Sequence, residues 1–175
     1  AALPTQLALA RVRRNRRVGL LTDAFALPRF AQAMIDHLRA GTILRNGSSS
    51  VVFLAEESAA DTLSIDAAAN VRFLSAEQSN SSLIVDEKLM LKVFRRVRGG
   101  AHPEAEMTRH LTRLGFALIA ALLGEIVRRG DDGEAHSLAI VQAFVRNQGD
   151  AWSWVLDHLD RALDDLGAVA ASAAE

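Results

Sequence analysis

Along its hydrophobic and polar positions, the chain falls into stretches of different texture. The first seventy residues are rich in alanine and arginine and hold one clear helical pattern. There Phe30, Met34 and Leu38 recur at helical spacing, Pro28 can open the helix and Gly41 can close it. A short apolar run at 51–54 suits a strand, and 56–70 follows no period, so residues 1–70 predict a partial α+β cap subdomain. From 71 onward, apolar runs at 71–74, 83–85 and 89–94 are separated by polar breaks, which predicts three antiparallel strands with a hairpin turn at 86–88. Gly99 and Gly100 end the third strand. Pro103 then opens a helix on which Met107, Leu111 and Leu114 fall on one side, and Gly115 suits a left-handed C-terminal cap. Runs at 122–127 and 137–144, joined by GDDGEA, predict a second hairpin. A last helix starts behind Asp150 as N-cap, with Trp152, Val155, Leu156, Leu159, Ala162 and Leu163 in one stripe, and the tail from 167 is expected to fray. The expected organisation is a cap over 1–70, a five-stranded antiparallel sheet with one helix over 71–147, and a separate helix from 148.

Composition narrows the function classes. The chain has 175 residues, half of them hydrophobic, enough for a sizeable core. A net charge of -1 and a pI near 6.6 demand neither nucleic acid nor an anionic membrane as partner. The arginine runs at 11–17 and 95–98 have no interleaved aromatics and read as solvated faces. The absence of cysteine removes disulfides and thiolate metal sites and fits a cytoplasmic setting. Five scattered histidines lack zinc-ligand spacing, and no G-x-S-x-G elbow points to a hydrolase. No apolar run reaches the roughly 18 residues of a membrane span, and the opening apolar stretch is followed rather than preceded by arginines, the wrong order for a secretory signal.

Candidate chemistry centres on Lys92. In LMLKVF it shares a strand face with Met90 and Phe94, so its ammonium needs a carboxylate, which the next helix offers at Glu104 and Glu106. The polar turn AEQSNSS lies between the first two strands of this region. Its hydroxyls and backbone N–H groups are suited to anionic oxygens, although it has no glycine and matches no standard phosphate loop.

Taken together, EQSNSSLIVDEKLMLKVFRR, HPEAEMTRHLTRLGF, LLGEIVRR and QAFVRNQGDAW, in this order, resemble the N-lobe of maltokinases and of the maltokinase portion fused to bacterial trehalose synthases. Upstream, RRVGLLTDAFALPRFAQAMIDHLRAG resembles the end of the cap that precedes that lobe. The stretch ALIAALLG and Ala151 depart from the family pattern.

The resemblance implies a protein-kinase-like N-lobe that binds ATP and Mg2+ and serves phosphoryl transfer to maltose, giving maltose 1-phosphate. By position it makes Ser79, Asn80, Ser81 and Ser82 the phosphate loop, Lys92 the phosphate-binding lysine and Glu106 its ion-pair partner, with Glu104 second. It makes Gln142, Ala143, Phe144 and Val145 the hinge that holds adenine. The sequence ends at Glu175, before the positions of the family's catalytic aspartate, metal-binding carboxylates and sugar-binding residues, so the C-lobe is expected to be absent and the chain alone inactive. Self-association through the last helix is expected for the same reason. The alternative reading is a non-catalytic module derived from this lobe and associated with a trehalose synthase.

Overall fold

The computed structural model describes residues 7–172 except 67, 75–79 and 148. It is a mixed α+β protein in which nine strands, all paired antiparallel, form two sheets. Strands β1 (Ala8–Arg14) and β2 (Arg17–Thr22) make a two-stranded ribbon. The others are β3 (Ile43–Asn46), β4 (Ser49–Ala55), β5 (Val71–Leu74), β6 (Asn80–Val85), β7 (Leu89–Phe94), β8 (Leu122–Arg129) and β9 (Ala135–Ala143). These form one seven-stranded sheet in the order β3-β4-β8-β9-β7-β6-β5. Among the described residues there are three α-helices, α1 (Pro28–Arg39), α2 (Pro103–Arg113) and α3 (Ala151–Ser172). None is long and apolar enough, over the described residues, to cross a membrane.

The sheet differs from the expected five strands because the stretch read as a cap supplies two more. β4 pairs with β8 from Ser50 opposite Arg129 to Ala55 opposite Gly124, and β3 pairs with β4 in turn. This gives the outer side of β8 a partner and satisfies backbone groups that an open edge would leave in water. The chain divides into two compact units, 1–144 and 145–175, so residue 70 marks no boundary.

Local chemistry explains the turns. Asp86 and Glu87 both sit at positive φ, 53° and 50°, and the Lys88 N–H reaches the Val85 carbonyl at 3.0 Å, closing a two-residue hairpin of the primed type that matches strand twist. Gly115 takes the left-handed conformation after α2, and the Phe116 N–H bonds back to the Leu111 carbonyl at 3.0 Å. Asp150 caps α3 through the Ser153 N–H at 2.8 Å, and these hydrogen bonds hold its carboxyl below the usual range. α3 extends to Ser172, and its Trp152 and Trp154 are exposed.

The main core lies on one face of the large sheet. Ala31, Ile35 and Leu38 of α1 pack against Phe53, Leu83, Val85, Leu89, Leu91, Leu123, Ile126, Ala139 and Val141. The other face carries α2 over a smaller cluster of Phe94, Ala105, Leu122 and Ile140.

Position 124 controls the seat of α1. A Cβ there would lie 2.3 Å from Leu38 Cδ2 and 2.7 Å from the Leu54 carbonyl oxygen, and the latter cannot rotate away. Gly124→Ala is therefore expected to lower stability by about 1–3 kcal/mol through overpacking. A urea midpoint equal to that of the wild type would contradict this close approach.

Candidate functional site

Lys92 stands near the C-terminal end of β7, on the face that α2 covers. Its Nζ donates to Glu104 Oε1 at 2.8 Å, with the two side chains 19% and 31% exposed. Partial burial on both sides puts this pair above the worth of a solvated surface pair, on the order of 1–2 kcal/mol. Two features bring Glu104 there. Pro103 opens α2 at a position where a missing N–H costs nothing, and the ring of His102, just before it, stacks on Phe94 of β7 with centroids 3.7 Å apart and planes 14° from parallel.

Glu106 was the partner expected first, and it is corrected to Glu104. The two residues lie about 200° apart around a helix, so only one can face the sheet. Glu106 is exposed in the first turn of α2, where a carboxylate complements the helix dipole. The expected apolar side of α2 is corrected too. Met107 and Leu114 are exposed, and the buried residues are Ala105 and Thr108.

The other anticipated residues are brought together only in part. In the β6–β7 register Ser82 lies directly opposite Lys92 and Asn80 opposite Phe94, so both share the Lys92 face, and Ser82 is fully buried. Ser81 belongs to the other face, where its hydroxyl accepts from Arg95 Nε at 3.1 Å. Ser79 lies outside the described residues. Gln142 is buried and pairs with Met90, one strand away on the Lys92 face. The Ala143 N–H is bound to the Ala121 carbonyl at 2.9 Å and the Phe144 N–H to the Lys88 carbonyl at 2.7 Å. Neither of these two N–H groups is free for an adenine ring, and Val145 belongs to the second unit.

A second polar cluster on the same face had no counterpart in the sequence reading. Glu125 of β8 is buried, accepts from the Ser137 hydroxyl and pairs with Arg109 of α2. Arg109 also donates from Nε to Glu56 Oε1 at 2.8 Å, and Arg113 reaches Glu56 Oε2 at 3.1 Å. Burial works against the charge on Arg109, but hydrogen bonds and attraction from Glu125 and Glu56 more than offset it, leaving its pKa above the ordinary arginine value. The only hint in the sequence is Glu125 itself, a carboxylate inside the otherwise apolar run 122–127.

Two cavities adjoin α2. One of about 600 Å³ is lined by Arg96, Arg98, His102 and Glu104, and one of about 750 Å³ by Glu56, Arg109, Arg113 and Glu125. Glu104 lines the smaller, Lys92 lines neither, and the charges on the wall of the larger already engage one another. Room alone therefore does not mark the site. Among the described residues no group of three or more histidines and carboxylates is placed to hold a metal ion.

No family model matches the chain. A solved structure of glucosamine kinase, in one crystal form, is distantly similar, with 19% identity and a TM-score of 0.38 over 74% of this chain and 40% of its own. The chain thus corresponds to well under half of that kinase's length, and neither figure is high enough to carry an argument about fold or activity.

Only two lysines occur in the sequence, Lys88 and Lys92, so limited acetylation reads the ion pair directly, with Lys88, 60% exposed, as internal standard. Glu104→Gln is expected to raise the Lys92-to-Lys88 labelling ratio roughly tenfold, the weight of one charge-assisted hydrogen bond. Glu106→Gln is expected to leave the ratio unchanged. The reverse pattern would return the pairing to Glu106.

Proposed function

We propose that this chain is the nucleotide-binding portion of a kinase-like phosphotransferase acting on a sugar, with Lys92 as the residue that neutralises phosphate charge. The observation that carries the reading is the Lys92–Glu104 pair, a lysine inside a strand held at 2.8 Å by a glutamate of the following helix. A lysine fixed this way has spent one donor on its carboxylate and keeps two for oxygens of a ligand. Along the chain β5, β6, β7, α2, β8 and β9 follow one another in the succession that the apolar runs from 71 onward predict.

The residues on this face fit an anionic ligand. Lys92 offers charge and Asn80 an amide at the start of the neighbouring strand, while Ser82, directly opposite Lys92, is buried beneath that face. ATP, when bound, supplies the transferable phosphoryl group. Phosphoryl transfer depends mainly on positioning and on neutralising spread charge, so the task of this chain is to hold the phosphates in place. Glu104 serves by keeping the Lys92 ammonium on the inner face instead of in solvent. The backbone bonds at Ala143 and Phe144 restrict any adenine contact in 142–145 to the remaining groups of that stretch. Maltose as acceptor, with maltose 1-phosphate as product, rests on the sequence resemblance alone.

One cation and one polar side chain account for only part of a nucleotide's surface, so Mg-ATP is expected to bind the chain with a dissociation constant above about 0.1 mM. In a titration followed by 1H–15N NMR, shifts should centre on Asn80, Ser82 and Lys92. Lys92→Met keeps most of the side-chain stem and should abolish them. Undisturbed resonances at these positions in the wild type, or equal binding by Lys92→Met, would overturn the reading.

A further inference from the structure

The geometry points to Arg109 as a positioning residue for the Lys92–Glu104 pair, through which the 43–60 stretch acts on the phosphate site. This rests on the functional reading above only for what the pair is used for; the mechanical link between Arg109 and Lys92 stands separately.

The inference starts from how little apolar packing holds α2. Its buried residues are Ala105 and Thr108, whereas Met107 and Leu114 are 59% and 68% exposed. Burying one leucine side chain fully is worth about 1.5–3 kcal/mol, and of the large apolar side chains on α2 only Leu111 is partly buried, none fully. Polar ties do the holding instead. Toward its N-terminus Glu104 binds Lys92, and toward its C-terminus the Thr112 hydroxyl accepts the Leu122 N–H at 2.9 Å. Between them Arg109 reaches two carboxylates at once, Glu125 of β8 and Glu56 just after β4.

Of these ties the Arg109 fork is the hardest to replace. Glu125 is 6% exposed, and without the guanidinium its carboxylate keeps the Ser137 hydroxyl but loses its cation. A buried carboxylate deprived of its cation relaxes by moving toward water, and α2, whose buried residues are only Ala105 and Thr108, has little apolar packing to resist. Glu104 lies five residues before Arg109 on the same helix, about 7.5 Å along its axis, so a shift of α2 carries Glu104 away from Lys92. Glu56 belongs to the stretch between β4 and β5 and is held by both Arg109 and Arg113. A displacement of that stretch is therefore transmitted through Arg109 to Glu104.

The test uses the Lys92-to-Lys88 acetylation ratio, measured on folded protein without nucleotide. Arg109→Met is expected to raise the ratio by at least roughly threefold, a modest coupling for residues in one network, and Arg109→Lys to restore about half of it. Glu56→Gln, which leaves both arginines and Glu125 in place, should act in the same direction. A folded Arg109→Met protein with the wild-type ratio and only a lowered urea midpoint would overturn the inference and leave Arg109 a stabilising residue alone. Should Arg109→Met not fold, Glu56→Gln decides by the same ratio. Failure of the wild type to bind Mg-ATP would overturn the functional reading instead, because the ratio is read without nucleotide.

Discussion

Two opposite charges stand on the side of the sheet that α2 covers, Lys92 on β7 and Glu125 on β8, with β9 between their strands. Left unpaired in a partly dry setting, each would cost several kcal/mol. α2 answers both. Glu104 and Arg109 lie about 140° apart around the helix, flanking the narrow stripe of Ala105, Thr108 and Thr112, so one reaches outward to β7 and the other to β8. The rotation of α2 follows from this charge match more than from apolar packing, and the same rotation sends Met107 and Leu114 into solvent. The lysine is held on the inner face, and the functional reading follows from that position.

The same principle separates what was legible in the sequence from what was not. Strands β5 to β9 could be read because alternation and turn chemistry agree there: apolar runs end at Asp86 and Glu87 and at the GDDGEA turn, and Gly115 marks a helix end. The helix 103–113 was legible as an element and misread in its orientation. Hydrophobic periodicity selects Met107, Leu111 and Leu114, yet the stripe that faces the sheet is small and polar. Choosing Glu106 over Glu104 carried the same error, since both mistakes turn the helix about its axis.

Long-range pairing stayed hidden for another reason. Glu56 and Arg109 are 53 residues apart, and no local pattern connects them. The membership of β3 and β4 in the large sheet was likewise invisible, because a strand of apolar residues does not name its partner. A change of composition near residue 70 suggested a boundary, whereas backbone pairing between β4 and β8 runs across it. Of the four phosphate-loop positions, Asn80 and Ser82 share the Lys92 face, Ser81 lies on the other, and Ser79 lies outside the described residues. A run of small polar residues on a strand necessarily splits between two faces.

The central claim is that Lys92, and not the more exposed Lys88, is the amine beside a bound phosphate. An acyl-phosphate derivative of ATP transfers its acyl group to a lysine near the bound phosphates, and with two lysines in the chain the outcome is unambiguous. The account predicts modification at Lys92, suppressed by excess Mg-ATP. Modification confined to Lys88, or at Lys92 but indifferent to Mg-ATP, would contradict it.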